Sequence, residues 1–559
     1  MSSSIFRRKS LDKIIRDSEM GLGDAHEHKL RKVLGVRDLT FMGIAAVIGA
    51  GIFSTIGTAA FHGGPGVIFL FLITAITCGF TALCYAEFAS RVPVAGSAYT
   101  YSYVSFGEVI AWIIGWALIL EYAIGNVVVA ISWSAYFNNI LRNMGIHLPD
   151  WLAIGYQTAK MSYQTALAAN KPVAGLVFLN APEFAGIKFI INLPAFIIVM
   201  LITALAYVGI NESRKSANFM VGLKLVVLAF IALLGFYLIF STGTTGNWKP
   251  FLPEGMGGVM QSVSSVFFAY IGFDAISTTA EECHSPQKDL PKGMMYSLLI
   301  CTVIYVVTAL VITGLVNYKE FENVVDPLAY VFDKINMHKI GFIISVSAVV
   351  ASTSVLLVFQ IGQPRIWMSM SRDGLLPPAF GRISPRFKTP GFSTIITGLF
   401  VGLTVLVVDD KLMTDLTSIG TLFAFVLVCG GVLYLPKLVR VPGKFSIPYM
   451  NGKYIIPVLL AIFILVFRQR IETALSNLNA ESYQEILFLL FLVSAVIITI
   501  FTFIRNYSVI PVLGVLFCLY LMIEIPAKSW MVFFGWMAFG LSIYMLYGRR
   551  KSKLASRPG

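Results

Sequence analysis

The chain has 559 residues, of which 57% are hydrophobic and 13% charged, and its formal net charge is +13. Soluble domains carry about 25% charged residues, so this chain lacks the polar surface of a soluble enzyme, a disordered scaffold or a secreted disulfide module. The basic balance is also found in nucleic-acid-binding proteins, but in so apolar a chain we attribute it to membrane topology.

Apolar runs long enough to cross a bilayer recur along the whole chain, and each such crossing needs about 20 residues. No strand-like alternation of apolar and polar residues accompanies them. The sequence therefore predicts an all-α integral membrane protein with about 14 transmembrane helices, at 38–60, 66–89, 108–136, 192–210, 218–241, 257–281, 295–316, 340–370, 391–409, 414–436, 454–467, 484–504, 509–525 and 529–547.

Lysine and arginine are distributed unevenly between the two sides of these spans. With the N-terminus inside, the inner segments hold more than twice as many of them as the outer segments. Positive residues collect on the cytoplasmic side, so we predict a multi-pass protein of the plasma or inner membrane with both termini in the cytoplasm.

Glycine clusters interrupt two of the spans. The first cluster includes Val47, Ile48, Gly49, Ala50 and Gly51, and the second surrounds Gly272 in the run Phe268-Ala269-Tyr270-Ile271-Gly272. An interrupted helix exposes amides and carbonyls, which must line a cavity or a ligand because they cannot face lipid. Such amides attract a carboxylate and such carbonyls an ammonium group, so two facing breaks suit the backbone of an amino acid.

The two clusters also resemble each other. Ile48-Gly49 matches Ile271-Gly272, and Ser54-Thr55 matches Ser277-Thr278 at the same offset. Interrupted segments at corresponding positions of two halves are typical of an inverted repeat, here spans 1–5 and 6–10. The alternative for the first cluster is close helix packing through small residues.

Ionisable residues inside the spans are the next candidates because burying them in lipid is costly. Glu121 and Asn126 lie in the third span, where they either line a cavity or form a polar brace between helices. Lys224 lies in the fifth span, where it either reaches the interface or points inward as a fixed or titrating cation. We predict no metal site, and no phosphate-binding loop for ATP is present.

Several motifs resemble the amino acid–polyamine–organocation (APC) superfamily, and within it the cationic amino acid transporter (CAT) family. They lie at 42–53, 84–99, 267–291, 370–377 and 419–422, and the similarity extends over about residues 30–550.

The resemblance implies a LeuT-like 5+5 inverted repeat with discontinuous helices 1 and 6. The domains are then a cytoplasmic tail (1–37), a transport core (38–436), helices 11–14 (437–547) and a second cytoplasmic tail (548–559).

The resemblance also implies roles for individual residues. Amides around Ala50 and Gly51 would receive the substrate carboxylate, and carbonyls near Val47, Phe268 and Ile271 its ammonium group. Glu121 and Asn126 would line the side-chain pocket, Ser352 would leave room for a long side chain, and Lys224 would replace a sodium ion. Ile48, Gly49 and Ala269 complete the predicted substrate site.

The expected function is secondary active transport of amino acids by alternating access, sodium-independent and proton-linked. The resemblance points to cationic substrates (Arg, Lys or Orn). The alternatives are a neutral amino acid permease or exchanger and a non-transporting amino-acid sensor on the same scaffold. We expect no enzymatic activity and no cofactor; the partners are the amino acid, protons and the lipid bilayer, and nucleic acid is not among them.

Overall fold

A computed structural model gives the architecture. It describes residue 7 and residues 34–554, apart from 50, 92–96, 169–171, 174, 185, 210–213, 323, 388, 435–444 and 477–482. Most of the predicted N-terminal tail, the end of the C-terminal tail and the predicted site residue Ala50 lie outside the described residues.

The first half of the described chain is almost entirely helical. Its helices are α1 (Val36–Val47), α2 (Ile56–Gly63), α3 (Val67–Arg91), α4 (Ser97–Ser105), α5 (Glu108–Asn143), α6 (Tyr156–Ala168), α7 (Val177–Asn180), α8 (Leu193–Val208), α9 (Arg214–Thr242), α10 (Gly255–Met260) and α11 (Val263–Phe268). Between α7 and α8, a two-residue antiparallel ladder pairs β1 (Glu183–Phe184) with β2 (Ile187–Lys188).

The second half continues as helices. They are α12 (Pro286–Leu315), α13 (Pro327–Lys334), α14 (His338–Arg372), α15 (Gly391–Val405), α16 (Asp410–Tyr434), α17 (Gly452–Val466), α18 (Arg468–Ser476), α19 (Tyr483–Arg505), α20 (Val509–Met522), α21 (Ala527–Ile543) and α22 (Arg549–Lys551).

Many of these helices are long and apolar enough to span a bilayer. Among the described residues there are eight such helices, or nine if α17 and α18, which meet at 67°, form one bent span. Four shorter apolar segments accompany them, at Leu193–Val208, Val263–Ser277, Gly391–Val405 and Val509–Met522. The protein is therefore a multi-pass, all-helical membrane protein.

Several boundaries differ from the sequence prediction. The span predicted at 257–281 is divided into α10, α11 and a 3-10 helix (Phe273–Glu282). The span predicted at 108–136 extends to Asn143, because the polar residues at its end continue the helix beyond the apolar run.

The helix α5 lies at the centre of the fold. Most of its residues are buried, and it packs against α14 and α16, while α12 packs against α3 and α1. Large apolar side chains are exposed on the outer helices, including Leu233 (75%), Val466 (71%) and Leu546 (72%). The outer surface is therefore apolar as well as the core, which fits a lipid environment because apolar side chains are stable against acyl chains.

Candidate functional site

The first break follows α1. The helix ends at Val47, and Ile48 has extended backbone angles (φ −78°, ψ 93°). The chain then resumes as a π-helical turn, Gly51–Thr55, which leads directly into α2. The predicted interruption of this span is therefore present, on either side of residue 50.

The second break follows α11. A short turn leads to Gly272, whose φ of +110° favours glycine because other residues rarely adopt it. The 3-10 helix Phe273–Glu282 begins immediately after this glycine.

The two broken segments run antiparallel, side by side, with their breaks in contact. A Cβ on Gly51 would lie 2.3 Å from the Ala269 Cα, and a Cβ on Gly272 would lie 3.0 Å from the Ala46 carbonyl oxygen. Two hydroxyls join the segments further along: Ser262 donates to the Ala59 carbonyl, and Thr55 donates to that of Ser265. From one end to the other, the contacts join Gly43 to Ile276, Ala46 to Gly272, Gly51 to Ala269, Thr55 to Ser265, Ala59 to Ser262 and Gly63 to Val259.

Lys224 joins the first break to α14. Its ammonium group is fully buried and donates to the Ile48 carbonyl (3.3 Å), the Ala351 carbonyl (3.1 Å) and the Ser354 hydroxyl (2.5 Å). Three acceptors match the three protons of a lysine ammonium. The side chain therefore points inward, and of the two alternatives for this residue the interfacial one is excluded.

Tyr305, on α12, joins the two breaks to each other. Its hydroxyl oxygen lies 2.9 Å from the Val47 carbonyl oxygen and 2.6 Å from the Ala269 carbonyl oxygen. A hydroxyl has a single proton to donate, so the two carbonyls share one donor. One hydroxyl thus contacts a backbone carbonyl of each interrupted helix.

A small cavity of about 10 Å³ lies between the breaks. Its lining contains five of the predicted site residues and four others: Val47, Gly49, Gly51, Phe268 and Ile271, together with Ala46, Val129, Val355 and Phe359. All of these side chains are apolar, so the polar groups available there are backbone amides and carbonyls.

The lining does not include the other predicted site residues that the structure describes, namely Ile48, Glu121, Asn126, Lys224, Ala269 and Ser352. Asn126 donates to the Gln360 side chain (2.7 Å), which in turn donates to Thr203 (2.9 Å). Asn126 therefore takes part in a polar brace between α5, α14 and α8. The oxygen of its side-chain amide has no hydrogen-bond partner among the described residues.

Glu121 and Ser352 are both buried. One oxygen of the Glu121 carboxyl and the Ser352 hydroxyl have no hydrogen-bond partner among the described residues. The Glu121 carboxyl lies near the Thr421 hydroxyl and interacts electrostatically with Asp274, which follows the second break. The described part of the chain contains no group of three or more His, Cys, Asp or Glu side chains that could hold a metal ion.

Sequence reasoning missed Tyr305 and the apolar wall formed by Val129, Val355 and Phe359. In an apolar span, the sequence does not distinguish an apolar residue that faces a cavity from one that faces lipid. Tyr305 could have been found, because a polar residue within a span is itself a sign of a functional position.

Comparison with known proteins identifies the family of this chain. The profile of the amino acid permease family matches residues 34–469, and that of the C-terminus of such permeases matches residues 507–552. The chain is 38% identical to the branched-chain amino acid permease BcaP of Bacillus subtilis, over 99% of this chain and 100% of that protein.

Two further relatives are named for substrates other than branched-chain amino acids. The methylthioribose transporter of Bacillus subtilis is 33% identical over 99% of both chains. The vacuolar cationic amino acid transporter 2 of Arabidopsis thaliana is 37% identical over 77% of this chain and 63% of its own length. These relatives are transporters rather than enzymes, and the resemblance to the APC superfamily is confirmed: the chain belongs to the amino acid permease family.

Proposed function

We propose that the chain is a secondary transporter that moves amino acids across the membrane by alternating access. The observation that carries this proposal is the contact between two interrupted helices, which brings together backbone groups of both that lie outside regular helical hydrogen bonding, within the membrane-spanning core. An amino acid has a carboxylate and an ammonium group close together, and helix ends offer amides to the first and carbonyls to the second.

The size of the cavity supports alternating access. A volume of about 10 Å³ accommodates at most one water-sized group, far less than an amino acid. Substrate binding therefore requires that the walls separate, and the two broken helices can do so by rocking against α5 and α14. Phe268 lies in the lining next to the second break and is the proposed aromatic gate.

The substrate we favour is a neutral amino acid with an apolar side chain. The cavity presents Val129, Phe268, Val355 and Phe359, which favour contact with aliphatic groups. A relative that matches essentially the whole chain is named as a branched-chain amino acid permease.

Uptake into proteoliposomes tests this proposal. We expect the purified full chain to accumulate labelled leucine, isoleucine or valine, with competition by the unlabelled compounds. Binding of amino acids without uptake of any of them would instead support the sensor alternative. Neither binding nor uptake by folded protein would contradict the assignment.

Transport of cationic amino acids is a second candidate, supported by Glu121. Its buried carboxyl has one oxygen without a hydrogen-bond partner among the described residues and could hold a cationic side chain. If it does, Glu121→Gln should reduce arginine and lysine uptake at least tenfold, because the free energy of one hydrogen bond to a charged group is lost. Leucine uptake should be unchanged. Equal effects on both classes would exclude this role.

For coupling, we propose that Lys224 replaces a sodium ion and that its proton takes part in the transport cycle. The geometry supports this because the ammonium group bridges Ile48 of the first break to Ala351 of α14. Uptake should be independent of sodium and stimulated by an inward proton gradient. Sodium-dependent uptake, or uptake insensitive to pH, would contradict the proposal.

For topology, we propose fourteen spans arranged as a 5+5 inverted repeat followed by four helices. The helix α2 runs antiparallel to α10 and α11, whereas α3 runs in the opposite direction to α2. The chain therefore reverses between α2 and α3, where Gly64 has φ +58°. The long apolar segment Gly51–Ser90 thus contains the end of the first proposed span and the whole of the second. We place the protein in the plasma membrane with both termini in the cytoplasm, which cysteine labelling at each end would test.

A further inference from the structure

A second, larger cavity lies where the C-terminal segment meets the end of α14. Its volume is about 380 Å³. Basic side chains come to it from both segments, and its lining includes Ser371, Arg372, Arg382, Tyr547, Lys551 and Lys553. Among the described residues that line this cavity, none is acidic.

The C-terminal segment is attached closely to the end of α14. The Lys553 amide donates to the Asp373 carbonyl (3.1 Å). Gly374, with φ +80°, allows the two backbones to approach, because a Cβ there would lie 2.3 Å from the Lys551 carbonyl oxygen. The two walls of the cavity are thus joined by backbone contacts.

A buried anchor holds the two lysines in place. Ser552, between them, is fully buried, and its hydroxyl donates to the Glu108 carboxylate at the start of α5. The Tyr544 hydroxyl donates to the other oxygen of the same carboxylate (2.9 Å). Lys551 and Lys553 flank this anchor, so the backbone that carries both side chains is held at the cavity.

The basic residues of the lining, Arg382 and Lys551 among them, favour an anion with several oxygens as the ligand of this cavity. Guanidinium groups hold phosphate oxygens with two parallel hydrogen bonds, and lysines add point charges. Exposed apolar side chains precede the cavity in sequence, at Met545 (44%) and Leu546 (72%), which places the cavity next to the lipid surface.

We propose that this cavity binds a phosphate group, carried either by the headgroup of an anionic lipid or by a soluble phosphate. In both cases the phosphate would join the C-terminal segment to the segment that follows α14. Recognition through charge and phosphate oxygens is common to the two sources, and the acyl chains distinguish them.

The test uses the full chain purified in an uncharged detergent. Binding of dihexanoyl-phosphatidylglycerol and of inorganic phosphate is measured separately by microscale thermophoresis. The test variant is Arg382→Gln/Lys551→Gln. The matched control, Arg386→Gln/Arg550→Gln, removes the same charge from the same two segments, at positions that do not line the cavity.

We expect phosphatidylglycerol to bind, and the test variant to weaken binding about tenfold or more while the control stays within about twofold. Binding of the lipid alone would identify a headgroup as the source, and comparable binding of inorganic phosphate would identify a soluble anion. If neither probe binds, or if the control loses as much affinity as the test variant, the proposal is overturned.

Discussion

The two breaks differ in what satisfies their carbonyls. At the first, the Ile48 carbonyl accepts from the ammonium group of Lys224. At the second, the Ala269 carbonyl accepts from the neutral hydroxyl of Tyr305, which the Val47 carbonyl of the first break shares, and the turn itself depends on the positive φ of Gly272. The first break thus has a charged donor in addition to the shared hydroxyl, and the second depends on that hydroxyl and on backbone geometry.

This difference assigns different tasks to the two helices. A bond from an ammonium group changes when the proton leaves, whereas a turn fixed by glycine does not. If transport is coupled to protons, the first break is where the coupling acts. The following variants separate the two contributions, beginning with the one expected to reduce transport most.

Replacement of Lys224 should have the largest effect. Lys224→Met removes three hydrogen bonds and takes the ammonium donor from the Ile48 carbonyl at the first break, so we expect leucine uptake to fall by about a hundredfold or more. Lys528→Met, at an exposed lysine, is the control and should retain uptake. If uptake and its stimulation by protons stayed close to wild type in Lys224→Met, the first break would not be where coupling to protons acts.

Filling the contact between the breaks should be the next most damaging change. In Gly51→Ala the new methyl group would lie 2.3 Å from the Ala269 backbone, so the helices must separate. We expect uptake to fall about tenfold or more, from a strain of about 1–3 kcal/mol. Gly535→Ala, at a helix glycine with nothing within 4 Å of the new atom, should behave like wild type.

Loss of the shared hydroxyl should have a moderate effect. Tyr305→Phe keeps the ring and removes one donor from the Val47 and Ala269 carbonyls, so uptake should fall about three- to tenfold. The pH dependence of uptake by Tyr305→Phe should stay unchanged because Lys224 is intact. Tyr237→Phe, at a ring that is 68% exposed, is the control. A loss of proton stimulation in Tyr305→Phe would mean that the two breaks are not separable.

The smallest effect on transport is expected at Asp326, which lies at the start of α13 and accepts from Asn139 (2.9 Å). Burial raises the pKa of this carboxyl from 3.8 to about 6. The folded protein therefore favours the protonated form, and this contribution to stability is lost as the pH rises from about 4 through 6.

Asp326→Asn should remove this pH dependence and leave uptake within about twofold of wild type, since the residue does not line the cavity between the breaks. Thermal unfolding followed between pH 4 and 7 measures the effect. A variant whose unfolding temperature changes with pH as in wild type would show that another group is responsible.

The sequence predicted the helical class and the two breaks and singled out Lys224, because clustered glycines and a charge within a span are informative in an apolar chain. Gly51 and Gly272 are informative since both are needed for close approach or for a positive φ. The apolar wall was not predictable in the same way, because Val355 and Phe359 look like any other residues of a membrane helix.

The side-chain environments depend on contacts distant in sequence, and this limited the prediction of the site. Asn126 was expected either to line a cavity or to brace helices, and only the position of Gln360, far along the chain, places it in a brace. Tyr305 contacts Val47 and Ala269 because α12 packs against both broken segments, an arrangement that no local pattern reveals.

An experimental structure with the transported amino acid bound would test the central claim most directly, namely that the two contacting breaks form the substrate site. The account predicts ligand density between Gly51 and Ala269, with the carboxylate at the amides of the first break and the side chain against Val355 and Phe359. Density for the amino acid elsewhere, with the contact between Gly51 and Ala269 unchanged, would contradict it.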